Sequence, residues 1–218
     1  MPKFKFLLLK ITAAAVLFNL ANADLGLEGL ILGFAWAMCE IAQEQTARRT
    51  FYGGTITGFI CYATQLAFFW NIFGGAAIIL WLILAVFLGG FALCLRQVRT
   101  QWGVWAAIIL APALWVGWEY FRSELYYLRF AWFSLGSTFA DRECISWAMA
   151  AGCYGASALI MLAGVGLAEV RGRVKWIALG IGLAGFVLLA GVGEPNPEPV
   201  SDERVDAGKA LPDKQALR

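Results

Sequence analysis

Residues 50–95 read TFYGGTITGFICYATQLAFFWNIFGGAAIILWLILAVFLGGFALCL, and no charged side chain interrupts them. A helix crossing about 30 Å of hydrocarbon at roughly 1.5 Å per residue needs about 20 predominantly apolar residues. This run therefore reads as two crossings, broken at Asn71-Ile72-Phe73-Gly74-Gly75. Outward from it, residues 100–118, 144–168 and 176–193 are also free of charge and give one crossing each. Lys10, Asp24, Glu28 and Glu40 interrupt two earlier apolar segments, about 4–22 and 25–43. Both segments read as crossings too, because Lys10 lies near a segment end and can snorkel, while Asp24 and Glu28 fall where the chain turns back. The alternative for the first is a cleaved signal peptide: Lys3 and Lys5 precede an apolar run that ends in Ala21-Asn22-Ala23, although Lys10 interrupts that run.

Composition agrees with this pattern. The chain is 61% hydrophobic and only 15% charged, too few charges to cover a water-soluble globule of this size, for which about 25% is usual. The expected fold is an all-α polytopic bundle of about seven spans, near 4–22, 25–43, 51–70, 74–95, 101–118, 145–168 and 176–193. Together these form one membrane domain over 1–193. The tail 194–218 holds four of the six prolines and no aromatic residue; it cannot build a core and is expected to be a disordered polar extension.

Basic residues in loops collect on the cytoplasmic side. With the N-terminus inside, the inner segments carry Lys3 and Lys5, Arg48 and Arg49, Arg96 and Arg99, then Arg171, Arg173 and Lys175, whereas the outer connection 119–143 sets three arginines against four acids. The C-terminus is then outside. The chain has no histidine, which excludes histidine-based triads, haem ligation and the usual zinc sites, so neither a metal nor a cofactor is expected. A net charge of +2, thinly scattered, is no nucleic-acid footprint.

Several motifs have structural readings. Gly180-Ile181-Gly182-Leu183-Ala184-Gly185 matches the dinucleotide pattern but lies inside an apolar helix, where small residues serve close helix packing; Gly54-x-x-x-Gly58 and Ala151-x-x-x-Gly155 read the same way. Cys39, Cys61, Cys94, Cys144 and Cys153 show no C-x-x-C spacing and read as small packing residues, with only Cys144 near an outer cation, Arg142. Of ten tryptophans, Trp70, Trp102, Trp118, Trp147 and Trp176 fall at span ends, as in an aromatic belt.

The chemistry-bearing stretch is 111–143, APALWVGWEYFRSELYYLRFAWFSLGSTFADRE. Pro112 can kink the fifth span. Glu119 and Arg122, three apart on one helical face, are expected to pair at the outer interface. An aromatic run with single cations, Tyr126 to Phe133, follows, and then Gly136 and Ser137. It suits either a lipid-docking segment, with rings among acyl chains and arginine near phosphates, or an interfacial loop that only anchors the chain.

This stretch resembles the membrane half of apolipoprotein N-acyltransferase, the bacterial enzyme that adds the third acyl chain to lipoproteins. Pro112-Ala113-Leu114-Trp115 matches that family's P-A-L-W, Glu119 and Arg122 its E-x-x-R, Phe130 and Trp132 its G-F-P-W, and Leu135-Gly136 its L-G-Y-S. Arg129 stands where the family has Gly, and Ala131 where it has Pro. The likeness continues more weakly through Ala150-Ala151-Gly152-Cys153-Tyr154-Gly155-Ala156-Ser157, similar to the family's G-x-x-G-x-S helix, and through Phe51 to Trp70, and spans roughly 25–193. It implies a multi-pass protein of the bacterial cytoplasmic membrane. The implied lipid-binding residues are Glu119, Arg122, Arg129, Phe130, Trp132 and Gly136. The implied partners are membrane phospholipid, the lipoprotein substrate and a separately encoded nitrilase-like subunit.

In the family, a nitrilase-like domain after the seventh span carries a Glu-Lys-Cys set. No such set is matched here, so no catalytic residue is assigned and the chain's standing as an enzyme stays open. The expected function is the membrane scaffold and lipid-docking half of such a system. The alternative is a non-enzymatic binding module, or a truncated gene product, of the same fold. A transporter would carry ionisable groups at mid-membrane, and the five charge-free spans have none.

Overall fold

The computed structural model describes residues 2–23, 25–139 and 146–169. The expected seventh span, the tail, Cys144, the 180–185 glycine motif and Arg171, Arg173 and Lys175 lie outside the described residues. The described part is all-α, with no strand: α1 (Pro2–Ala21), α2 (Ile31–Ala42, entered through a 3₁₀ turn at Glu28–Leu30), α3 (Ala47–Gln65), α4 (Phe69–Phe73), α5 (Ala76–Tyr120) and α6 (Ser146–Glu169). Thr46 starts α3 by accepting a hydrogen bond from the Arg49 backbone N–H at 3.2 Å, a side-chain N-cap.

The long α5 is a hairpin. Gly103 has φ 87° and ψ −178° inside it, an extended left-handed geometry open to glycine alone at low cost. Around it, the rings of Phe91 and Trp115 lie 4.7 Å apart and those of Phe87 and Trp118 5.8 Å apart. In a straight helix, Phe91 and Trp115 would be separated by about 36 Å. Two antiparallel arms, 76–102 and 104–120, thus take the places expected for the fourth and fifth spans. The backbone departs from helical angles at Gly103 and not at Pro112. Among the described residues, two helical stretches are long and apolar enough to cross a membrane: Ala76–Leu125, which includes this reversal, and Gly152–Glu169.

α1 and α2 are antiparallel as well, and so are α3 and the first arm of α5, whereas α2 and α6 run parallel, since Gln43 just past α2 donates to Ala168 O near the end of α6. Phe18 of α1 meets Phe34 of α2 at 4.9 Å, and the Cys39 thiol lies 3.6 Å from the Met161 sulfur of α6. Gly54 and Gly58 of α3 approach the first arm of α5 so closely that an added Cβ would lie 2.9 Å from the Cα atoms of Gly89 and Ala85 respectively. The packing role expected of this G-x-x-x-G pair is thereby seen directly.

This alternation gathers charges at one pole. Lys10 Nζ donates to Glu40 O and to Glu44 Oε1, both at 2.9 Å. Arg99 forms a fork on Glu169, Nε to Oε1 at 2.9 Å and Nη2 to Oε2 at 3.0 Å. Arg96 donates to the backbone oxygens of Glu44 and Gln45. Lys10 is therefore ion-paired across helices, where snorkelling alone was expected. The opposite pole holds the 22–30 turn, α4 and the segment after α5.

Candidate functional site

The site is built where the second arm of α5 runs out. The helix widens into one π turn, Phe121–Leu125, and such turns re-aim the side chains that follow. Glu119 and Arg122 are only 5% and 4% exposed. The ion pair expected between them is replaced by two separate clamps. Glu119 Oε1 accepts from Trp115 Nε1 at 2.7 Å and from the Leu135 backbone N–H at 2.9 Å. Arg122 Nη1 donates to the Tyr62 hydroxyl and Nη2 to the Trp132 carbonyl at 3.1 Å, while the Arg122 carbonyl accepts from Phe130 N at 3.1 Å. Helical spacing put the two residues on one face, but the returning segment 130–135 brings buried backbone groups that need partners, and each side chain satisfies a different one.

Phe130 is half-buried beneath Arg122, whose guanidinium carbon lies 6.0 Å from the ring centre and 5.8 Å from that of Tyr62. Trp132 is 54% exposed and stacks on Phe69 of α4, with centroids 6.1 Å apart and planes at 8°. Gly136 is committed to packing: a Cβ there would lie 2.0 Å from the Cys153 carbonyl oxygen, and its N–H donates to Ser157 Oγ at 2.8 Å. The glycine thus lets the segment touch the α6 backbone.

Arg129 differs from all of these. Its side chain is exposed and has no polar partner among the described residues, and its backbone is left-handed at φ 43°. Its N–H closes a turn onto Tyr126 O at 2.9 Å. Around it stand Tyr127, 94% exposed, with Leu125, Leu128 and Trp132 also outward. Arg129, which stands where the resemblance implies glycine, is one of two non-glycine residues with a positive φ among the described residues, Phe133 at 58° being the other.

Between the arms of α5 runs an open apolar groove of about 490 Å³, lined by Cys94, Ala113, Leu114, Gly117, Trp118 and Phe121. Cys39 and Cys61 are buried in the core, and Cys153 shares a 2.9 Å contact with Ser134 Oγ. Among the described residues no three His, Cys, Asp or Glu side chains gather as a metal site. Sequence reasoning missed Tyr62, which reaches Arg122 from 60 positions away with no local spacing to signal it. Ser157 was visible only as the last residue of the glycine-bearing motif that starts at Gly152.

Among the described residues after α5, the arrangement can offer the Arg129 guanidinium, with exposed Tyr127 and Trp132 near it in sequence, to an anionic group. Residues 2–166 match the family profile described as "Apolipoprotein N-acyltransferase N-terminal domain". No curated protein and no solved structure matches the chain.

Proposed function

This chain belongs to the apolipoprotein N-acyltransferase N-terminal domain family, and on that premise we propose that it docks phospholipid, and the acyl chains of a lipoprotein substrate, for a nitrilase-like unit that supplies the nucleophilic thiol. The chain is a membrane protein related to lipoprotein N-acylation. In the proposed arrangement it makes seven crossings of the bacterial cytoplasmic membrane over 1–193, N-terminus in and C-terminus out, with 194–218 as a polar tail. The observation that carries the reading is Arg129: an exposed guanidinium with no polar partner among the described residues, set in a run of exposed side chains that includes Tyr127 and Trp132, in a fold that also holds an open apolar groove of about 490 Å³. Arginine suits phosphate because its donors form a planar fork.

In this reading Arg129 meets the headgroup phosphate, Trp132 and Tyr127 lie among the upper acyl carbons, and the groove beside Gly117 takes a chain. Glu119, Arg122, Phe130 and Gly136 fix the segment that carries them. The Arg122 guanidinium is too enclosed, and too fully engaged through Nη1 and Nη2, to serve as the headgroup ligand itself. The test is thermal unfolding of the detergent-purified protein with and without added phospholipid. Lipid should stabilise the wild type and not Arg129→Ala. Equal stabilisation of both would remove Arg129 from the site and favour an interaction module whose loop only anchors it.

A further inference from the structure

Tyr62, Phe87, Leu88, Phe91, Trp115, Trp118, Glu119 and Arg122 line a narrow, partly open cavity of about 20 Å³ between α3 and the two arms of α5. Two of these eight residues contribute a fully buried polar atom that meets no protein partner: Glu119 Oε2 and Arg122 Nε. Both belong to side chains that are at least nine-tenths buried, so each unmet atom carries the full cost of desolvation. A third group is half satisfied. The Tyr62 hydroxyl accepts from Arg122 Nη1 and keeps its own proton to give.

We propose that this cavity is the binding site of one ordered water molecule, which joins Glu119 to Arg122. The donor and acceptor balance selects the occupant. Glu119 Oε2 needs a donor and Arg122 Nε–H needs an acceptor, so a bare anion would face the carboxylate and a bare cation the guanidinium. A hydroxyl oxygen serves both. The volume then decides between a water and a larger alcohol, since one water needs about 10–15 Å³ of such space and little remains for attached carbon. With the Tyr62 hydroxyl as a second donor, the water makes three hydrogen bonds, the usual number for a buried one. It links α3, the end of α5 and the 130–135 segment into one network: Trp115 to Glu119, water, Arg122, then Trp132. The site concerns how the docking segment is held, and it stands whether or not Arg129 binds lipid.

A structure of the detergent-purified protein at a resolution that shows waters should place one peak within hydrogen-bond distance of both Glu119 Oε2 and Arg122 Nε. A dry cavity, or a carboxylate rotated into direct contact with the guanidinium, would overturn the proposal. A variant provides an independent reading. Leu88→Phe adds bulk to the cavity wall; by expelling the water it should lower the unfolding midpoint by roughly 4–8 °C, whereas filling a dry void would raise it. Because Leu88 also packs near Gly58, the wild-type protein is measured in parallel by arginine-selective ¹⁵N NMR. There the Arg122 Nε–H should show a cross-peak to a long-lived water, and the absence of that cross-peak would contradict the site even if Leu88→Phe failed to fold.

Discussion

Replacing Arg129 by glycine should stabilise the protein while weakening its hold on phospholipid. At φ 43° an L-residue brings its Cβ toward the following carbonyl, at about 1–2 kcal/mol. Glycine removes that strain but returns about 0.5–1 kcal/mol through the greater freedom of the unfolded chain. The side chain is exposed and makes no polar contact among the described residues, so no hydrogen bond or ion pair to them is lost with it. The net gain is about 0.5–1 kcal/mol, or roughly 1–4 °C in the midpoint for a chain of this size. Arg129→Ala is the control, because alanine keeps the Cβ and therefore the strain. Thermal unfolding in detergent without lipid should rank glycine above wild type and alanine level with it. The two variants should then lose the lipid-induced shift together. Should glycine lower the midpoint, or alanine raise it as much, the strain reasoning fails.

Gly136→Ala would force a Cβ to within 2.0 Å of the Cys153 carbonyl oxygen; displacing backbone there should cost about 1–3 kcal/mol or more, read as a lowered midpoint. Gly54→Ala meets Gly89 Cα and Leu88 O at 2.9 Å each and should separate α3 from α5 at a similar cost, read the same way. Arg122→Ala leaves the Glu119 carboxylate buried without its nearest cation and frees the Trp132 carbonyl, so a loss of about 3–5 kcal/mol is expected. Glu119→Gln keeps a carbonyl oxygen for the Trp115 and Leu135 donors and should cost clearly less; equal losses for the two would show that charge, and not the clamp on 130–135, is what matters. Reporter fusions after residues 99 and 143 should report inside and outside respectively, and an inside signal at 143 would undo the proposed orientation.

Much of the fold was legible because a bilayer makes sequence simple: charge-free runs mark helices, and the basic pole at Arg96 and Arg99 falls where the chain reverses. The reversal residue was not. Gly103 is one of 24 glycines, and nothing local says which of them needs a positive φ. In the site, the 111–143 stretch stood out through its composition and its motif. The Glu119–Arg122 pair was read as an ion pair because spacing reports proximity on a helix face. Spacing does not report what packs against that face, and Tyr62 and Leu135 arrive only through the tertiary fold. Conversely, the departure at Arg129 was visible in the motif, but its meaning needed the backbone angle.

The central claim is that phospholipid is held at the outer pole by the segment around Arg129. A phospholipid carrying a photoreactive group next to its phosphate, incorporated into nanodiscs with the wild-type protein and mapped by mass spectrometry after illumination, addresses it most directly. Crosslinks should concentrate on residues 126–132 and fall sharply in Arg129→Ala. Crosslinks spread evenly over the lipid-facing helices, or unchanged by that substitution, would contradict the account.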